Sequence, residues 1–498
     1  MIEPEKVLGT VDVIPVQVSE KNGVEAGLSG SDQVGPQRSC EVDPPLILRR
    51  RAFVPEVDED LAPVRQVDER AIGVAERVKR EDRSHISSPV QLNWRGRNES
   101  ATSRRHARAP TLMDLPFHAG AGAASGEDFL GGKKLEDGIG LCLSGGGFRA
   151  MLFHLGALTR LNEAGLLPQI DRVSSVSGGS VAAGALAVGW SRLRFDERGV
   201  ASNIREEVSL PLLALAQKWV DVPAVLLGLL PRFSAAGIAG RVYDAALFKG
   251  ATLQDLPDRP RFTFTATSLQ TGALWRFAKE YAAEYHVGEW KRPDLRVADV
   301  VSASAAFPPY MSPAYVRVPP GAIAALEGAD LHEDGYKGRL CLTDGGVYDN
   351  VGLEPIWKRY RTILVSDGGR ALPGNPLPRS NWFSQALRVS DIALQQGIFL
   401  RQRVLRGLDR MGERKLVSWG IGEGVTAHGP DNPLGFSEAD TRRAAAVKTR
   451  LKRFPREIQE VVMKAGYAHA DAALRRSSLT IVPSTPSFDA LPVPPGRP

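Results

Sequence analysis

LCLSGGGFRAMLFHLGALTRLNEAGLLPQIDRVSSVSGGSV, residues 141–181, holds two glycine-rich turns, each set between a short apolar run and a helical pattern. Residues 139–143 form an apolar run of strand length. Ser144-Gly145-Gly146-Gly147 follows, where glycine can take backbone angles that a Cβ resists. From Arg149 onward Leu152, Leu155, Leu158 and Leu161 share a helical face, so the turn opens on a helix N-terminus. The first N–H groups of a helix have no acceptor within it and are available to an anion. The second unit repeats the pattern: a buried strand at 172–176, the turn Ser177-Gly178-Gly179-Ser180, and an Ala/Val/Leu-rich helix from 181 to 190. Ser177 therefore sits at a sharp strand-to-helix elbow, the geometry that pushes a nucleophilic Oγ clear of a sheet. Ser175-Val176-Ser177-Gly178-Gly179 departs from Gly-x-Ser-x-Gly only at Ser175, where a small residue still permits the turn.

Downstream, residues 261–267 alternate large apolar and small polar side chains, and Thr271-Gly272 separates them from Leu274-Trp275-Arg276-Phe277, a hairpin signal. Residues 297–306 lead into Phe307-Pro308-Pro309, where proline ends a helix. The run Leu340-Cys341-Leu342-Thr343 enters Asp344-Gly345-Gly346, which places a carboxylate at the end of a strand. Residues 362–365 repeat this, ending in Ser366-Asp367-Gly368-Gly369. A long basic helix is expected at 386–408, with Arg388, Arg401, Arg403 and Arg406, and helical patterning returns at 439–474. Strands alternating with helices and ending in such turns predict an α/β sheet with its site at the carboxyl ends of the strands.

The chain has 498 residues, 43% of them hydrophobic, enough for a large domain with flanking segments. Basic residues outnumber acidic ones by 63 to 57, a net charge of +6. That excess is small for the length and argues for no nucleic-acid partner, while leaving mild attraction to anionic surfaces. Cys40, Cys142 and Cys341 lack metal-ligand spacing and predict reduced thiols in a cytoplasmic protein, with no metal or other cofactor. The opening MIEPEKVLG has neither the basic start nor the apolar stretch of a secretory signal. The apolar run at 222–230 is about half of the roughly 20 residues a membrane span requires. Residues 1–130 are rich in charge, Pro, Ser and Gly without period, so a disordered extension is expected, with Met113 an alternative start. Its basic runs, Arg49-Arg50-Arg51 and Ser103-Arg104-Arg105-His106, fit a solvated tail better than a docking arm.

A serine hydroxyl needs a base to remove its proton, and the oxyanion formed on attack needs preorganised donors. Ser177 would attack, a strand-end carboxylate, Asp344 or Asp367, would act as base, and N–H groups around Gly145, Gly146 and Gly147 would hold the oxyanion. A dinucleotide or P-loop site also uses a glycine turn, but neither Gly-x-Gly-x-x-Gly nor Gly-Lys-Ser/Thr is present. A Ser-acid-His triad would need His428 or His469 downstream of the acid, and His154 fits packing better than catalysis.

SGGGFRA, SSVSGGS and LTDGGVYDN, in this order, resemble the three motifs of patatin-like phospholipases, serine acyl hydrolases with a Ser/Asp dyad. Ala303-Ser304-Ala305-Ala306-Phe307-Pro308 also resembles a family segment. The resemblance implies Ser177 as nucleophile, Asp344 as base and Gly145-Gly146-Gly147 as oxyanion loop, with Arg149, Gly179, Gly345 and Gly346 supporting the motifs. It implies a three-layer sandwich with a mainly parallel central sheet flanked by helices. The expected organisation is an extension at 1–130, a patatin-like catalytic domain at 135–410, a C-terminal helical segment packed on it at 411–480, and a flexible tail at 481–498. The expected partner is a lipid, met peripherally at a membrane surface, most strongly through the apolar residues 210–230 and more weakly through the basic helix. The alternatives are a short-chain esterase, thioesterase or transacylase, a silent lipid-binding module, or a nucleotide-binding protein.

Overall fold

The computed structural model describes residues 135–228, 234–369, 372–428 and 432–493. The expected disorder of 1–130, with its basic runs and Met113, lies outside the described residues, as do residues 494–498 of the expected tail.

The chain opens β1 (Glu136–Leu143), α1 (Gly147–Glu163), β2 (Ile170–Ser175) and α2 (Gly178–Gly189), the two strand-turn-helix units read from the sequence. Three helices follow, α3 (Leu210–Leu215), α4 (Asp221–Gly228) and α5 (Ala235–Tyr243). A meander then runs through β3 (Arg261–Ser268), β4 (Leu274–Phe277), β5 (Tyr281–Glu284) and β6 (Gly288–Lys291). Next come α6 (Val297–Ser304), β7 (Ala314–Arg317), β8 (Ile323–Ala324), α7 (Asp334–Lys337), β9 (Arg339–Asp344) and α8 (Gly346–Asp349). The chain continues with β10 (Tyr360–Asp367), α9 (Trp382–Arg410), β11 (Lys415–Gly420), α10 (Glu438–Ala446) and α11 (Arg456–Arg476).

All of these strands join one sheet, in the order β11-β10-β1-β2-β3-β4-β5-β6-β8, with β9 on β3 and β7 on β9. The strands from β11 to β3 are parallel. Parallel strands need helical crossovers that cover both faces, so β1 and β10 are apolar without alternation where they are buried. From β3 to β6 short turns replace helices, and the pairs from β3 out to β8 are antiparallel, beginning with the hairpin at Thr271-Gly272. The α/β architecture, parallel strands central and helices flanking, is the expected one.

Strand β3 is shared among three neighbours. Its residues 264–267 pair with β4 along one edge. Along the other edge, residues 261–264 pair with β2 and residues 266–268 pair with β9. β2 and β9 therefore lie end to end on the same edge, running toward each other: Ser175 stands opposite Phe264, and Asp344 opposite Ala266.

Some boundaries differ from expectation. α9 starts at Trp382 rather than 386, because the Asn381 side chain accepts the Ser384 N–H at 2.8 Å and caps it. The helical pattern at 439–474 is two helices, α10 and α11, broken before Pro455. The tail expected to be flexible from 481 is held in its first part: Val482 N–H donates to Ala164 O at 3.0 Å, and Leu491 is buried. Of the described part of residues 210–230, Leu212, Leu213 and Leu215 are buried while Trp219, Val222 and Leu226 are exposed. Among the described residues no helix is long and apolar enough to cross a membrane.

α11 crosses α1 at backbone contact. A Cβ on Gly466 would overlap the Phe153 carbonyl, and one on Gly156 would overlap the Met463 carbonyl. Beside this crossing the buried Arg160 and Asp471 pair at 2.8 Å. Backbone cannot yield as a flexible side chain can, so Gly466→Ala is expected to destabilise the fold by about 3 kcal/mol. Urea unfolding measures this, and an unchanged midpoint would rule out the close crossing.

Candidate active site

The two glycine turns lie against each other because their strands are neighbours, Leu143 standing beside Ser175. Val176 N–H donates to Leu143 O at 3.1 Å. A Cβ on Gly178 would overlap the Gly147 carbonyl, and one on Gly179 would overlap that of Leu143. Glycine at 178 and 179 is thus a requirement of contact between the turns. Gly146 and Gly147 have φ of 144° and 58°, which glycine alone adopts freely.

Ser177 has φ 52° and ψ −120°, a strained conformation for a residue with a side chain, and is 8% exposed at the N-cap of α2. Its N–H donates to Ser304 Oγ at 3.0 Å. Ser304 Oγ also meets Ser180 Oγ at 2.8 Å, and Ser180 Oγ donates to Ser175 Oγ at 3.0 Å. The Ser304 carbonyl accepts from Gly345 N–H at 3.1 Å. One residue at the end of α6 thereby ties the serine elbow to the Asp-Gly-Gly turn. The sequence placed Ser304 in a recognisable segment but offered no signal for this bridging role, since neither partner is near it in the chain.

Asp344 ends β9, reaching the elbow along the shared edge of β3. Its Oδ1 accepts from Gly346 N–H at 2.8 Å, while Oδ2 is buried without a hydrogen bond. Burial raises the carboxyl pKa to about 6, against smaller lowering effects from Gly346 and the adjacent Ser177 hydroxyl. The Tyr243 hydroxyl is buried without a hydrogen-bond partner, and its pKa is raised by burial and then by Asp344 and Asp221. That phenol stays protonated, and nothing in the sequence pattern marked it.

The second Asp-Gly-Gly turn differs in its oxygens. Asp367 Oδ1 accepts from Gly369 N–H at 2.8 Å and Oδ2 from Gln402 Nε2 at 3.1 Å, leaving neither oxygen open to Ser177. Arg149 donates from Nε to Gly368 O at 3.1 Å and from Nη1 to Val447 O at 2.9 Å, fastening α1 to that turn and to the segment before α11. Of the glycine loop, Gly145 N–H is already engaged by Asn350 O at 2.9 Å. Gly146 and Gly147 follow it at the mouth of α1, where the first N–H groups have no acceptor within the helix.

His154 and His469 have partners of their own. His154 Nε2 lies 2.9 Å from Ser144 O, which can only accept, so Nε2 carries the proton and Nδ1 accepts from Ser366 Oγ at 2.8 Å. Burial lowers its pKa to about 4 and keeps the ring neutral. His469 packs between Phe153 and Phe436, 3.3 Å from Thr441 Oγ1. The side chain of His428 lies outside the described residues. No group of three or more His, Cys, Asp or Glu among the described residues could hold a metal ion.

Residues 141–357 match the family model for patatin-like phospholipases, and the chain carries a patatin-like phospholipase domain over that stretch. No curated protein matches the chain. Among solved structures it is similar to human GIVD cytosolic phospholipase A2, with 11% identity and a TM-score of 0.39 over 69% of this chain and 64% of that one. The chain therefore spans slightly less than two thirds of the human structure. It is also similar to VipD from Legionella pneumophila, with 15% identity and a TM-score of 0.31 over 69% of this chain and 67% of that one.

Two stability effects arise from the elbow and its carboxylate. Ser177→Gly relieves the positive φ and is expected to exceed Ser177→Ala in stability by about 1 kcal/mol, read from thermal unfolding; the reverse order would mean the elbow is unstrained. Because Asp344 binds its proton more tightly folded than unfolded, stability declines as pH rises from about 4 through 6. Asp344→Asn removes this cost, which is on the order of 3 kcal/mol. Its melting temperature is expected above wild type at pH 7–8, the gap closing toward pH 4, and a pH-independent gap would refute the buried charge.

Proposed function

We propose that the protein is a lipid acyl hydrolase of the phospholipase A kind, cleaving carboxylic esters of phospholipids or related lipids through an acyl-serine intermediate. The observation that carries this reading is the strained Ser177 elbow meeting, along one edge of β3, a buried carboxylate with an unpaired oxygen. Asp344 accepts the Ser177 proton as Oγ attacks the ester carbonyl, and the oxyanion forms against the N–H groups of Gly146 and Gly147. Collapse expels the alcohol, which takes the proton from Asp344. Water then attacks the acyl-serine with Asp344 again as base, releasing the fatty acid and restoring Ser177.

A carboxyl pKa of about 6 supports the assignment of Asp344, because an ordinary aspartate near 4 is a feeble base for a serine. The exposed Trp219, Val222 and Leu226 support an apolar substrate. The reading places the enzyme in the cytoplasm, working peripherally on lipid surfaces. The same acyl-serine serves the neighbouring reactions: a transacylase differs in the second step, where another acceptor replaces water, and a thioesterase in the first, where the leaving group is a thiol.

The test is labelling with a fluorophosphonate probe, together with fatty-acid release from mixed phospholipid vesicles. Wild type is expected to label and hydrolyse, and Ser177→Ala to do neither. Asp344→Asn is expected to lose at least about 10³ in turnover while remaining folded. The base must be unprotonated, so kcat/KM should fall as pH drops through about 6. Activity that survives either substitution would refute the dyad.

A further inference from the structure

Helix α9 has an outer face that nothing among the described residues covers. Its inner face is anchored to the end of β10 and to α8, the helix that follows Asp344. Gln402 holds Asp367 at 3.1 Å, Arg401 lies 3.5 Å from Asp349 and 5.7 Å from the centre of the Tyr348 ring, and Leu405 and Leu408 are buried. The neighbouring Gly368 N–H donates to Ser144 Oγ at 2.9 Å, so this anchorage adjoins the glycine loop. On the outer face Trp382 is 81% exposed, Val389 64%, Leu400 57% and the capping Met411 68%. At 3.6 residues per turn these positions, with Ala386, Ala393 and Val404, fall within about 40° of one line along the helix.

Charge along the helix is ordered about that line. α9 contains five arginines and two aspartates. Asp391 and Asp409 fall about 180° from the apolar line, on the opposite face. Arg403 and Arg410 fall about 60–80° from it, are exposed, and have no acidic partner among the described residues. An apolar stripe with a tryptophan at one end and unpaired arginines along its margin is the pattern of a helix lying in a lipid headgroup boundary.

We propose that the outer face of α9 docks the protein on an anionic lipid bilayer, bringing the mouth of the Ser177 site to the surface that holds its substrate. The proposal deepens the lipid-hydrolase reading and takes its purpose from it. A second copy of the chain is the less suitable occupant. Symmetric pairing of two such faces would bring arginines together with no acidic residue of the helix on that side to offset them. Anionic headgroups supply that charge, and the acyl layer takes the stripe.

The test uses the full chain carrying Ser177→Ala, so that hydrolysis does not alter the vesicles. Sedimentation is measured with phosphatidylcholine vesicles, with and without phosphatidylglycerol. Binding is expected to require phosphatidylglycerol and to weaken with salt. Val389→Asp with Leu400→Asp should lower partitioning by more than about ten-fold, and Arg403→Glu and Arg410→Glu by about five-fold or more each. Both pairs lie on exposed positions, and circular dichroism checks that the variants fold. Equal binding by the variants, or no binding by the parent, overturns the proposal. So does a parent that is dimeric by light scattering and becomes monomeric in the α9 variants, which assigns the face to a second copy. Fluorophosphonate labelling of the α9 variants with Ser177 intact is read in solution without vesicles. Retained labelling beside unchanged vesicle binding defeats the docking surface alone, whereas absent labelling beside α9-dependent binding defeats the hydrolase reading alone.

Discussion

Backbone contact between the two glycine turns is the constraint on which the rest of the structure depends. The carbonyl of Gly147 occupies the place a side chain at 178 would need, and that of Leu143 does so for 179. Only with both positions bare can β1 and β2 stay neighbours to their ends and start α1 and α2 side by side. The N-termini of both helices are then adjacent. The same device recurs at the back of α1, where Gly156 and Gly466 let α11 approach to backbone contact. α1 is thus fixed on two sides, and buried along nearly its whole length.

The site's electrostatics follow from which polar groups are satisfied. Asp344 and Asp367 end strands of the same sheet and precede the same Gly-Gly pair, yet their environments diverge. Asp367 has a donor for each oxygen, one of them from α9. Asp344 has one donor and one bare oxygen in a dry setting, so burial dominates its proton affinity. A carboxylate whose hydrogen bonds are complete is an anchor, and one left short of a donor is poised to take a proton. Ser304 makes this setting rigid, since its side chain holds the serine elbow and its carbonyl holds the turn after the aspartate.

α9 joins this centre to the outside. Its inner face supplies the ligands that complete Asp367 and meet Asp349, and its outer face is apolar with a basic margin. Whatever binds the outer face is therefore one helix away from the glycine loop and the aspartate turn. Such a helix buries Leu405 and Leu408 on one side and leaves leucine, valine and tryptophan bare on the other, so it is apolar on two faces where a surface helix usually has one.

Much of this was legible in the chain itself. The strand-turn-helix units at 139–190, the hairpin about Thr271-Gly272 and the strands ending at Asp344 and Asp367 are local patterns, set by apolar period and by the backbone freedom of glycine. They indicated the sheet, the turns and the residue types able to act at them. The sequence also showed α9 as a long basic helix, since period and charge are written along it. It could not show which face that helix leaves bare, that Gly145 N–H is taken by Asn350, or that Tyr243 and Ser304 stand at the site. Above all, it could not show that β9 continues the line of β2 along one edge of β3, which sets Asp344 beside Ser177 across 167 positions of sequence. Those facts depend on strand register and on long-range donors, and neither leaves a period in the local sequence. The turns were determined by the chain, and their meeting by the sheet.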